Sequence, residues 1–156
     1  MEYPIWEDYL KYLDEKGIPR PRPYVFAEHF CNDKESADKL YQLVIDGRKR
    51  ATTGSVWAYE FDEEPILKPG DLTILTNYDG TRACVIRTTK NVVKKFRDIK
   101  DEDAKKEGEG DLSLEYWRRV HKEYFEEECG RIGKAFSEDM PVAFEEFEIE
   151  FMNEKS

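Results

Sequence analysis

The stretch Ile45-Asp46-Gly47-Arg48-Lys49-Arg50-Ala51-Thr52 is where the chain changes from a helical to an extended pattern. Upstream, Asn32 or Asp33 is a good N-cap for a helix running to about Asp46, with Ala37, Leu40, Leu43 and Val44 on one face. Gly47 stands where a left-handed C-cap is wanted. Downstream, residues 50–61 are rich in β-formers and are predicted to open a sheet. A turn after a C-cap can aim Lys49 sideways into the mouth of a barrel. There, loss of hydration would lower its pKa, and Thr52 could hydrogen-bond a ligand or attack one. Arg48, Lys49 and Arg50 read equally well as a solvated turn, since cations are favoured near a helix C-terminus.

Working outward, Ile5 to Lys16 carries Ile5, Trp6, Tyr9, Leu10 and Leu13 at helical spacing, and Gly17 closes it. Prolines 19, 21 and 23 impose an extended connector. Tyr24 to Phe30 suits a short strand or an irregular entry. Leu72–Tyr78 and Thr81–Thr88, separated by Asp79-Gly80, read as a hairpin, and Val92–Phe96 as a further strand. Asp101–Asp111 reads as an acidic loop. Ser113 then caps a helix with Leu114, Trp117, Val120, Tyr124 and Phe125 on its inner face, ending near Gly130. In Phe144–Phe151, Phe147, Ile149 and Phe151 alternate with Glu146, Glu148 and Glu150, the pattern of a half-buried terminal strand. Short antiparallel strands with inserted helices predict an α+β fold, a small β-barrel with flanking helices.

The length of 156 residues suits one domain. The division expected is a helical extension over 1–23 and the barrel domain over 24–156. A net charge of −10 argues against a broad basic footprint for long RNA and favours a small, partly neutral ligand. Cys31, Cys84 and Cys129 form no CxxC pair, and with only His29 and His121 no zinc pattern emerges. No metal and no cofactor are expected. The first residues lack the pattern of a signal peptide, and no apolar run approaches the ~20 residues of a membrane span. A cytoplasmic location with reduced thiols and no membrane partner is the expectation.

Gly47-x-Lys49-x-x-Thr52 resembles the Gly-x-Lys-x-x-Thr signature of ASCH domains, a superfamily related to PUA RNA-binding barrels. Pro69-Gly70-Asp71 before a strand and Cys84-Val85-Ile86 in the hairpin resemble the same family. So does Glu107-Gly108-Glu109-Gly110-Asp111-x-Ser113-Leu114-x-x-Trp117-Arg118-x-x-His121, the longest and most specific of the matches. The resemblance covers roughly residues 25 to 151. Many members carry Arg two positions after the signature Thr, where this chain has Gly54.

The resemblance implies a PUA-like barrel with a cleft beside the signature loop. Some members are thought to bind RNA, one branch is reported as a ribonuclease, and another hydrolyses the amide of acylated cytidines. By motif position the catalytic set of that last branch falls on Lys49, Thr52 and Glu107. Thr52 would be the nucleophile, Lys49 its base or an oxyanion donor, and Glu107 the group that orients Lys49 or shuttles a proton. Arg48, Arg50 and Arg82 would stand in for the missing Arg. Glu109 and Asp111 could receive an exocyclic amine of a base, or merely cap the following helix. Trp57 and Tyr59 could line the cleft or pack the barrel. Trp117 reads as core and His121 as its packing partner. The partners expected are RNA or a nucleobase- or nucleoside-like small molecule, and the N-terminal helix, with Trp6 and Tyr9, could cover the barrel or form a homodimer surface.

Overall fold

The computed structural model describes residues 3–156. Its centre is one five-stranded sheet, β1 Phe26–Glu28, β2 Ala51–Ser55, β3 Leu72–Thr76, β4 Ala83–Lys95 and β5 Pro141–Phe151, in the order β1-β3-β4-β5-β2. The sheet is mixed: β1 runs parallel to β3, and every other pairing is antiparallel. Irregular steps between Val85/Ile86 and Thr88/Lys90 in the β4–β5 ladder bend the sheet, as bulges do. The result is a half-barrel whose edges are β1 and β2.

Five helices flank it: α1 Pro4–Lys16, α2 Lys34–Ile45, α3 Val56–Phe61, α4 Asp101–Glu107 and α5 Leu114–Arg131. Three apolar clusters attach them. Ile5, Tyr9 and Leu13 of α1 pack on Leu72, Ile74 and Val85. Tyr41 and Val44 of α2 pack on Leu75, Cys84, Ile86 and Phe147. Trp117, Phe125 and Cys129 of α5 pack on Ala51, Val142 and Phe144. Leu72 and Ile74 thus serve one face of β3 and Leu75 the other, which is why every residue of that strand is buried. The N-terminal helix shares a core with the sheet and covers part of it.

Several elements differ from the sequence expectation for local reasons. Val56–Phe61 is helical because the Ser55 hydroxyl accepts the amide of Ala58 at 3.2 Å and ends the strand. Val92 to Lys95 continue β4 without a break. Asp101–Glu107 is a helix, with three acidic residues favourably placed in its first turn and Gly108 in the left-handed conformation at its end. The hairpin closes at Asn77 and Arg82, because the Asn77 side chain accepts the Arg82 amide and donates to Thr81, widening the turn around Asp79-Gly80. Helix α5 runs past Gly130 to Arg131. Among the described residues, no helix is long and apolar enough to cross a membrane.

Candidate functional site

A cavity of about 170 Å³ opens between the two free edges of the sheet. From the β1 side it is lined by Glu28, Phe30 and Cys31, and from β2 by Thr52, Thr53 and Gly54. Helix α3 contributes Tyr59, the α4–α5 segment Glu107, Glu109 and His121, and β5 Glu145. Its volume lies below the roughly 300–1,000 Å³ typical of drug-sized ligands.

Lys49 reaches it by backbone constraint. The amides of Arg48 and Lys49 both donate to the Leu43 carbonyl at the end of α2, at 2.9 and 3.1 Å. The Arg50 amide donates to the Lys106 carbonyl at 2.8 Å, stitching the start of β2 to the end of α4. That stitch is tight: a Cβ on Gly108 would lie 2.2 Å from the Arg48 carbonyl oxygen. Glu107, one residue earlier, is therefore carried directly to Lys49, 58 positions away in sequence.

Lys49 is 2% exposed, and its ammonium is held by hydrogen bonds. It donates to Glu107 Oε1 at 2.7 Å, to the Ala51 carbonyl at 2.8 Å and to Glu109 Oε2 at 3.0 Å, so its three N–H groups are all engaged. Glu107 Oε2 accepts the Thr53 hydroxyl at 2.5 Å and the Trp117 indole N–H at 2.9 Å, with His121 Nε2 3.5 Å away. The His121 ring stacks on Trp117 with centroids 4.1 Å apart, and its Nδ1 meets the Trp117 carbonyl at 2.9 Å.

Burial opposes both charges of the pair, and their mutual attraction outweighs it. Desolvation would lower the Lys49 pKa, but Glu107 and Glu109 hold it above its ordinary value. Desolvation would raise Glu107, but Lys49 and His121, with the Lys49 and Thr53 hydrogen bonds, hold it below the carboxylate range. The expected depression of Lys49 is thus reversed, because two carboxylates surround the ammonium. Burial and the nearby Glu109 push the Cys31 thiol up to about 11, which removes it as a nucleophile at neutral pH. Glu107, Glu109 and His121 offer ligand atoms all within 4.8 Å of one another. The cation bound to both of these carboxylates is the Lys49 ammonium.

Of the residues singled out from sequence, Lys49, Thr52, Glu107 and Glu109 meet at this cavity, and Tyr59 lines it. Arg48, Arg50, Arg82, Asp111 and Trp57 lie outside it. Arg48 and Arg50 are exposed, and Arg50 folds back to donate to the Gly47 carbonyl. Arg82 is drawn to the backbone oxygen of Ser156 and to Gln42. Asp111 accepts the Ser113 amide in the α5 turn. Trp57 packs against the α5 core, with the Lys134 ammonium over its ring. None of the three arginines lines the cavity.

Thr53, Glu28 and Glu145 escaped sequence reasoning, and the Trp117 N–H acts on Glu107 while its ring packs in the core. Glu145 left one readable signal. It falls in phase with Phe147, Ile149 and Phe151, a carboxylate on the apolar face of the strand.

A curled half-barrel with flanking helices and a polar cavity between its free edges defines a PUA-like α+β domain. The chain belongs to the ASCH domain family, whose pattern it matches over residues 26–150. The solved ASCH domain from Lactobacillus crispatus JV V101 is similar at 31% identity and a TM-score of 0.81, covering 93% of this chain and 91% of that one. A solved protein from Enterococcus faecalis V583 is similar at 28% identity and a TM-score of 0.80, covering 93% and 86%. A hypothetical protein, 17% identical with a TM-score of 0.52, shares the fold alone. No curated protein matches the chain.

Proposed function

We propose that this ASCH domain binds a nucleobase- or nucleoside-like small molecule in the cavity between β1 and β2, and hydrolyses an acyl amide carried on it. The observation that supports this most is the buried Lys49–Glu107 pair in a cavity that Thr52 also lines. Four side chains, Glu109, Thr53, Trp117 and His121, converge on a pair whose desolvation cost makes it a poor stability device. A perturbed cluster of this kind in a cleft is the usual mark of a working site.

The residues take distinct parts in this reading. Thr52 supplies the hydroxyl that attacks the amide carbon. Lys49, held as ammonium, is a donor to the developing oxyanion rather than a base. A ligand oxygen approaching it would take the place of Glu109, whose side chain is 14% exposed against 1% for Glu107. Glu107 keeps the ammonium charged and aimed, with Thr53 and Trp117 fixing its second oxygen. The carboxylates of the cavity favour a ligand that presents N–H groups and disfavour phosphate.

RNA is the second reading. A shallow depression bordered by Lys94, Arg97, Lys100, Lys105 and Arg118 lies elsewhere on the surface. Lys94 is paired with Asp103 and Arg97 with Asp139, and Asp98, Asp101 and Glu102 border the same depression, so much of its positive charge is offset.

Incubation with N4-acetylcytidine, with cytidine and acetate followed by chromatography, tests the hydrolysis. Turnover by the wild type and its loss in Lys49→Ala are expected. Absence of wild-type turnover of this and other acylated nucleosides would count against it. RNA titrations at several salt concentrations separate the second reading, since phosphate-driven binding weakens steeply with salt.

A further inference from the structure

We propose that Glu145 is the general base that takes the hydroxyl proton of Thr52. The inference rests on Thr52 being the nucleophile of the reading above, and it fills the one role which that reading leaves vacant.

The geometry carries it. Thr52 of β2 and Glu145 of β5 are direct antiparallel partners, so their side chains rise from the same face with Cβ atoms about 4.5–5.5 Å apart. Both line the cavity. Glu145 is buried, and the Thr88 hydroxyl donates to its Oε2 at 2.6 Å. Among the described residues, its other oxygen accepts no hydrogen bond.

The alternatives are occupied. Lys49 is a fully engaged ammonium. Glu107 has both oxygens committed, to Lys49, Thr53 and Trp117. Glu109 is bound to Lys49. Glu145 differs in kind. Burial, with the nearby charges of Glu28 and Asp71, pushes its carboxyl up to about 7 against the opposing Thr88 hydrogen bond and Lys49 charge. The Tyr59 phenol, raised by burial and by Glu28 and Glu145, stays neutral. A base near the working pH combines adequate ionisation with useful basicity.

The proton and electron balance closes without a co-reactant other than water. The Thr52 oxygen forms a bond to the amide carbon as its proton passes to the Glu145 carboxylate, and the carbonyl π pair moves to the oxygen beside Lys49. The C–N bond then breaks, and the leaving amine takes the proton from Glu145. Water, deprotonated by the same carboxylate, cleaves the acyl–Thr52 ester and restores both groups.

The test uses the intact chain and diisopropyl fluorophosphate, which phosphorylates an activated hydroxyl with loss of fluoride. The rate of the Thr52 adduct is followed by mass spectrometry across pH. In the wild type the rate should rise with pH to a plateau with a midpoint near 7. Glu145→Gln should slow it by about 10²-fold or more and flatten the profile. Glu145→Asp, which keeps the carboxylate, should recover part of the rate. Wild-type labelling in Glu145→Gln, or no Thr52 adduct in folded wild type, overturns the assignment. Acylated-nucleoside turnover run in parallel separates the two ideas. Glu145-dependent labelling without turnover removes the proposed substrate and keeps the base, whereas turnover persisting in Glu145→Gln removes the base and keeps the substrate.

Discussion

The Tyr59 ring stands where a side chain at position 54 would project: a Cβ on Gly54 would lie 2.9 Å from both Cε2 and Oη of Tyr59. The space beside Gly54 is thus filled by an aromatic hydroxyl arriving from α3, which gives this cavity a neutral wall.

Gly54→Arg should therefore evict Tyr59, at a cost of about 1–3 kcal/mol, the usual range for overpacking. Tyr59→Ala should relieve most of that cost, so the double variant is more stable than the sum of the single effects implies. Urea midpoints of the four proteins measure this coupling, and simple additivity would show that the ring does not oppose position 54.

Gly108 has φ +72° and would bring a Cβ to 2.2 Å from the Arg48 carbonyl oxygen. Gly108→Ala should lose about 2 kcal/mol or more through strain and separation of α4 from β2. Gly133, also at positive φ but with nothing within 4 Å, should cost less on the same substitution. Equal losses at the two sites would refute the stitch between Arg48 and Gly108.

Glu107→Gln should cost about 3–5 kcal/mol by leaving the buried ammonium under-compensated. Adding Lys49→Met removes the orphaned charge and should recover much of the loss. Chemical denaturation of both variants gives the comparison, with activity absent from each. A double variant less stable than Glu107→Gln would contradict the charge argument.

Glu107 and Glu145, two of the buried carboxylates, act oppositely on stability as pH changes. Glu107 is held below the carboxylate range, so its stabilisation is present at neutral pH and is lost as pH falls through its native value. Glu145 is raised to about 7, so the native state favours its protonated form. That advantage is full below the ordinary carboxylate range and is lost as pH rises to about 7. Glu145→Gln, which cannot ionise, should raise Tm at pH 8 relative to wild type and have little effect at pH 4. An equal shift at both values would mean that Glu145 ionises normally.

Much of the architecture was written locally. Asp33 and Ser113 cap their helices, Gly17 and Gly47 end theirs, and the alternation of Phe147, Ile149 and Phe151 marks the last strand. Each signal acts over a few residues, because capping, turn conformation and side-chain alternation involve only near neighbours. Lys49 and Thr52 were nameable for a similar reason, as a motif with fixed spacing, whereas Glu107 was reached only through the family resemblance of the segment that carries it.

What tertiary structure decided is which groups share the cavity. Glu107 meets Lys49 only because α4 is stitched to the start of β2, and Glu145 faces Thr52 only through the β2–β5 register. The arginines beside Lys49 were excluded by the same backbone, which buries one cation and leaves its two neighbours in water. Those choices depend on contacts between segments far apart in the chain, where burial and charge pairing outweigh the local preferences that a sequence displays.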